Sequence, residues 1–134
     1  RGLGDVYKRQ LYICPSNAGQ FLAIQSINHV KYFESHRARY KKNREILLQA
    51  LPEMGFSKIL PPDGAFYLYA DIKKFKLSSE EFVQKLLIDT GVAITPGIDF
   101  DTARGSDTVR FSFSCSESEA VDAMERLYKW TQYF

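Results

Sequence analysis

VAITPGIDFDTARGSDTVRFSFS, residues Val92–Ser114, sets one charge, Arg110, into an otherwise strand-like apolar run. Side chains alternate faces along a strand, so Val109, Phe111 and Phe113 share one face while Arg110, Ser112 and Ser114 share the other. The first face reads as core and the second as the wall of a cleft. Upstream, Pro96 and Gly97 stop a short strand over Val92–Thr95, and Asp101–Asp107 is a polar loop that returns the chain to the Arg110 strand. A guanidinium is a rigid planar fork matched to a carboxylate, which lysine cannot reproduce. From spacing alone, the simpler account of Arg110 is an ion pair with a local Asp at a sheet surface.

The flanking segments follow the same kind of rule. Ser78-Ser79-Glu80-Glu81 is a capping box, and the helix it opens runs to about Thr90 with Phe82, Val83, Leu86 and Leu87 as its buried stripe. Gly91 ends that helix in the left-handed conformation. A second capping box, Ser116-Glu117-Ser118-Glu119, opens the last helix, where Ala120, Val121, Met124, Leu127 and Tyr128 pack inward. Trp130, Tyr133 and Phe134 then form an aromatic tail suited to a domain or subunit surface. The paired acids of the two boxes sit where negative charge meets the helix dipole, which accounts for them without acid/base chemistry.

Before Gly91, Lys58–Leu60 and Ala65–Ala70 flank Pro61-Pro62-Asp63-Gly64 and read as a hairpin-like pair. Phe66, Leu68 and Ala70 face opposite to Tyr67 and Tyr69; two tyrosines on one face make either a stacking surface or, more commonly, amphipathic packing under a neighbouring helix. Val30–Leu51 repeats Phe33, Tyr40 and Leu47 every seven residues, with Val30, Arg37, Arg44, Leu48 and Leu51 in the same stripe, so it is one long amphipathic helix ended by Pro52 and Gly55. Its basic cluster, Arg37, Arg39, Lys41, Lys42 and Arg44, reads as a solvated face, because no aromatic stacking platform accompanies it. Leu11–Cys14 is a short extended run closed by Pro15. Ser16 or Asn17 caps the helix that follows, whose apolar face is Phe21, Leu22, Ile24 and Ile27. RGLGDVYKRQ, residues 1–10, shows no periodicity and reads as a non-native, adaptor-derived segment.

Pro96-Gly97, then Phe100, then Gly105, then Val109-Arg110-Phe111-Ser112-Phe113 resembles the carboxyl-terminal signature of class I/II, fold-type I pyridoxal-phosphate aminotransferases. Gln20, Tyr40 with Arg44-Glu45 and Leu47, and Gly64-Ala65-Phe66-Tyr67 follow the family's order, and the resemblance covers Leu11–Phe134. It departs at Asp101, where the family more often has Gly. The resemblance implies an α+β fold, the small carboxyl-terminal domain of such an enzyme, with three to four mostly antiparallel strands and helices on one side. It divides the chain into residues 11–29, a remnant of the large domain, and 30–134, the bridging helix and small domain.

The activity so implied moves an amino group between an amino acid and a 2-oxo acid, with Arg110 binding the substrate α-carboxylate and Phe100 walling the pocket. Ser16 and Asn17 would lie toward the cofactor of a partner subunit, although helix capping is the stronger claim for both. The cofactor, pyridoxal 5'-phosphate, and the lysine that holds it belong upstream of Leu11, and no segment around Lys58, Lys73 or Lys85 matches the cofactor motif. The chain alone is therefore expected to be inactive and to bind no cofactor, and the full-length protein to be a cytoplasmic homodimer. The competing class is a free-standing, non-catalytic carboxylate-binding or dimerisation module.

Composition narrows the alternatives. At 134 residues and 45% hydrophobic, the chain can build one core. A net charge of +2 gives no electrostatic case for nucleic acid or an anionic membrane, and no apolar run approaches the roughly 20 residues of a membrane span. Cys14 and Cys115 read as reduced thiols, and His29 and His36 as solvated side chains, so no metal site is expected.

Overall fold

The computed structural model describes residues Pro15–Phe134. The expectations for residues 1–10 and for Leu11–Cys14 lie outside these residues. The chain divides into two compact units, Arg1–Ser35 and His36–Phe134.

In the first unit, helix α1 (Asn17–Ser26) starts at Ser16, whose hydroxyl accepts from the Gly19 amide. It buries none of its residues, and Phe21, Leu22, Ile24 and Ile27 are all more than half exposed. Helix α2 runs from Val30 to Glu53 and carries Pro52 in its last turn. Only its second half contributes to the core. Leu47 and Leu51 are buried, whereas Val30 and Phe33, expected in the same stripe, are exposed.

The second unit is an α+β layer. Strands β1 (Tyr67–Asp71), β2 (Thr95–Pro96) and β3 (Thr108–Ser112) form an antiparallel sheet with β3 in the middle, in the order β1-β3-β2. Helix α3 (Ser79–Thr90) follows β1, and α4 (Glu117–Thr131) follows β3. Both capping boxes form: Ser78 with Glu81, and Ser116 with Glu119. Gly91 closes α3 at φ 74°. The donated hydrogen bonds of Ser78 and Ser116 hold the Glu81 and Glu119 carboxyls below the usual carboxylate range.

One sheet face makes the core. Leu68 and Ala70 from β1, Val109 and Phe111 from β3, and Phe113 just beyond it are buried against Leu47, Leu51, Phe82, Leu86, Ala120, Met124 and Leu127. Phe56 is the aromatic hub. Its ring meets Phe75 at 5.1 Å, Phe82 at 5.9 Å and Phe111 at 5.4 Å, in tilted or edge-on geometry, the arrangement ring quadrupoles favour.

Several expectations change. The Lys58–Leu60 and Ala65–Ala70 segments do not form a hairpin; a single isolated bridge, Ser57 to Asp71, lies just outside both of them. Lys58 and Ala65 have φ of 50° and 56°, which breaks extended pairing, and the prolines at 61 and 62 lack ladder donors. β1 pairs instead with β3, Tyr69 opposite Arg110. The strand expected over Val92–Thr95 shrinks to Thr95–Pro96, with Pro96 inside it. Proline is tolerated there because β2 is an edge strand. Leu87, Val121 and Tyr128 lie on the outer flanks of their helices and are exposed. Trp130 is not a projecting tail: it is buried, donates from Nε1 to Asp89 Oδ2 at 2.8 Å and meets Phe82 edge-on at 5.1 Å.

Asn43 was not singled out by periodicity, yet it is fully buried on α2. Its Nδ2 donates to the carbonyls of Phe113 at 3.1 Å and Cys115 at 2.9 Å, tying α2 to the exit of β3. Asn43→Ala removes both bonds and leaves two carbonyls unsatisfied, so it should destabilise the second unit by about 3 kcal/mol, read by urea unfolding. A loss under about 0.5 kcal/mol, the range of neutral surface changes, would contradict the role given to Asn43.

Candidate functional site

The second sheet face carries Tyr67, Tyr69, Arg110 and Ser112, opposite the buried set. The tyrosines do not pack under a helix as expected; they gather around the arginine. Register brings Tyr69 of β1 and Thr95 of β2 to either side of Arg110. The Arg110 Cζ lies 4.1 Å from the Tyr67 ring centroid and 4.2 Å from that of Phe100. Nη2 donates to Thr95 Oγ1 at 3.4 Å, and Nε is buried with no hydrogen-bond partner. Among the described residues Arg110 has no carboxylate partner, so the surface ion pair that spacing alone suggested does not form. Phe100 also meets Tyr69 edge-on at 6.1 Å. Burial pushes the Tyr69 hydroxyl upward in pKa, opposed by Arg110 and reinforced by Asp101 and Asp99.

Phe100 reaches the arginine because the loop before β3 is tightly built rather than loosely polar. It holds two single 3-10 turns, Gly97–Asp99 and Gly105–Asp107. Phe100 N–H and Asp101 N–H both donate to the Gly97 carbonyl, and Gly105 N–H donates to the Asp101 carbonyl at 2.8 Å. Asp101 Oδ1 accepts from the amides of Ala103 and Arg104, at 2.9 and 3.1 Å. These donors hold its carboxyl below the usual range. Asp101 thus supplies its own turn closure at the position where the sequence departs from the glycine preference. The two ends of the loop touch backbone to backbone. A Cβ at Gly105 would lie 2.5 Å from the Gly97 carbonyl carbon, and one at Gly97 would lie 2.6 Å from the Thr108 oxygen. Tyr67, Tyr69 and Thr95 were missed as site residues. Their shared alternation phase with Arg110 was a usable signal, but their strand pairing was not.

Ser16 is placed as the α1 cap and Asn17 as that helix's first residue, both exposed. His29 is exposed as expected, but His36 is half-buried, with Nδ1 2.8 Å from Arg39 Nη2. No group of three or more His, Cys, Asp or Glu among the described residues could hold a metal ion. Away from Arg110, a recess of about 500 Å³ gathers Arg37, Lys41 and Arg44 with Tyr40 and the Pro62–Ala65 loop. There Arg44 Nε donates to the Pro62 carbonyl at 2.9 Å, so part of the basic cluster is structural rather than merely solvated.

The family model described as "Aminotransferase class I and II" matches residues 6–127. A valine–pyruvate aminotransferase of Mycobacterium tuberculosis (strain ATCC 25618 / H37Rv) is 43% identical over 120 residues, covering 88% of this chain and 31% of that protein. A probable N-acetyl-LL-diaminopimelate aminotransferase of Bacillus subtilis (strain 168) is 36% identical over 115 residues, covering 85% of this chain and 29% of its own length. Among solved structures, an aminotransferase from Mycobacterium tuberculosis superposes with a TM-score of 0.81 at 39% identity, over 97% of this chain and 34% of that one. A putative aminotransferase from Silicibacter pomeroyi gives 0.83 at 36% identity, over 94% and 34%. The chain therefore spans about a third of the length of the proteins it matches.

The glycine contact makes a direct forecast. Gly105→Ala should cost about 3 kcal/mol by forcing the loop ends apart, whereas Gly64→Ala, with nothing within 4 Å of its Cβ position, should stay within about 0.5 kcal/mol. Thermal unfolding of the two variants decides it; equal losses would remove the loop closure from the account.

Proposed function

This chain belongs to the class I and II aminotransferase family, and on that basis we propose that it is the carboxyl-terminal part of an enzyme moving an amino group between an amino acid and a 2-oxo acid. In this reading Arg110 grips the substrate α-carboxylate, residues 11–29 belong to the large domain, and residues 30–134 are the bridging helix and small domain. The observation that carries it is the state of Arg110. Its guanidinium lies against two aromatic rings, with Nε buried and unpartnered and no carboxylate of the described residues to neutralise it. A partly desolvated, uncompensated charge of this kind is costly unless a ligand supplies the counter-charge. The planar fork suits a carboxylate, which it can hold by two parallel bonds and so fix the direction of the adjacent Cα–H bond.

In the parent enzyme pyridoxal phosphate would supply the electron sink for breaking that bond. We place its seat outside the described residues. Lys42, Lys58, Lys73 and Lys85 are each engaged by a carboxylate, at 2.6, 3.3, 3.1 and 3.8 Å. The Ser16 hydroxyl is occupied as a helix cap at 3.1 Å. The lysine and cofactor cradle are accordingly assigned to another part of the polypeptide, and the cytoplasmic homodimer with Ser16 and Asn17 toward the partner's cofactor is retained as part of the proposal. No helix among the described residues is long and apolar enough to cross a membrane.

Two measurements test this reading. The chain by itself should retain no pyridoxal phosphate after gel filtration. A stoichiometric visible chromophore, lost when one particular lysine is replaced, would oppose it. In the full-length enzyme, take the best donor among the twenty common amino acids and its decarboxylated amine as a pair of substrates. Arg110→Lys keeps the charge and loses the fork, so the charge-assisted pair weakens by about 2 to 5 kcal/mol, on the order of a hundredfold in kcat/KM for the amino acid. The amine, which never used the fork, should hardly change. Equal slowing of both substrates would make Arg110 a structural residue.

A further inference from the structure

We propose that Tyr67 and Phe100 form an aromatic clamp that positions the Arg110 fork, with Tyr67 as the principal positioning residue; this rests on the reading of Arg110 as the carboxylate grip. A guanidinium donates only in its own plane, while its faces are weakly hydrated and attract ring quadrupoles. With Cζ at 4.1 Å from one ring centroid and 4.2 Å from the other, both rings are well inside the roughly 6 Å over which this attraction acts. Both rings lie against the guanidinium without taking up its N–H donors in any hydrogen bond among the described residues. The protein's own hold on those donors is slight: a single contact from Nη2 to Thr95 Oγ1 at 3.4 Å, with Nε unpartnered. The orientation of the fork is therefore set by the rings more than by hydrogen bonds.

The two rings come from different supports. Tyr67 stands on β1 and is half-buried, with the Phe66 ring 4.3 Å away. Phe100 sits on the loop at 51% exposure, held by the hydrogen bond its backbone N–H donates to the Gly97 carbonyl and by the edge contact with Tyr69. A ring fixed on a strand of the sheet constrains direction better than one on a loop, so Tyr67 orients and Phe100 shields. The phenol oxygen of Tyr67 has no part in this; only its ring does. That separates positioning from hydrogen bonding by experiment.

The test uses the full-length holoenzyme and the same pair, the best amino-acid donor and its decarboxylated amine, with Tyr67→Leu, Tyr67→Phe, Phe100→Leu and Arg110→Lys. Tyr67→Leu should raise KM for the amino acid about tenfold, the scale of a desolvated cation–π contact, with kcat and the amine reaction nearly unchanged. Tyr67→Phe, which keeps the ring, should restore the wild-type KM. Phe100→Leu should show the same selective KM effect, smaller in size, and stands in if Tyr67→Leu does not fold. If the ring-deleting variants leave the amino-acid to amine ratio unchanged while Arg110→Lys still lowers it, the clamp is refuted and the carboxylate grip survives. If Arg110→Lys leaves the ratio unchanged, both fall. If Tyr67→Phe is as impaired as Tyr67→Leu, the hydroxyl and not the ring is responsible, and the clamp is again refuted.

Discussion

Strand β3 is paired on both edges, to β1 along its length and to β2 at Val109 and Arg110. A doubly paired strand cannot slip by one residue without turning every side chain to the opposite face. Val109 and Phe111 in the core and Arg110 on the far face are thus one constraint seen from two sides. Burial of the first set, under 3% exposed, fixes the direction in which the charge must point. Removing water from this apolar face stabilises the unit by roughly 1.5 to 3 kcal/mol per large side chain, far more than any single contact of Arg110 could oppose.

The remaining elements hold that strand in place. Asn43 satisfies two carbonyls where β3 ends, so a polar side chain from α2 fixes the exit of the strand while Leu47 and Leu51 pack against it. The Phe56 hub links the sheet to α3 through Phe111 and Phe82, and Trp130 links α4 to α3 through Phe82 and Asp89. At the entrance to β3, the Gly97–Gly105 contact closes the loop on itself. A loop closed backbone to backbone has little freedom, so the side chain carried on it, Phe100, is held beside Arg110.

Around Arg110 the chemistry follows from what is missing as much as from what is present. Aromatic faces attract the cation without neutralising it, and neither Tyr67 nor Phe100 can supply a counter-charge. Asp101, an acid of the loop, is committed to the amides of Ala103 and Arg104 and to the Arg104 side chain at 3.2 Å. Among the described residues the positive charge of Arg110 is therefore left without a carboxylate partner.

Features governed by near neighbours were legible in the residues themselves. The alternation of β3, both capping boxes and the left-handed Gly91 follow from contacts within four positions along the chain, and each is formed as expected. Arg110 and Phe100 were legible as a pair only through resemblance, since nothing in their spacing brings them together. The partner of β1 was misread because proximity along the chain favoured Lys58–Leu60, while apolar burial selected β3. Asn43, on a polar stretch of α2, gave no sign of burial; it is interior because two carbonyls some seventy positions away, at Phe113 and Cys115, need its amide. Tyr67 and Tyr69 had the right face but no known neighbour until the register was set. Periodicity records which face of a segment is apolar, but which segment covers that face is settled by the free energy of the whole packed unit, a quantity that no local window contains.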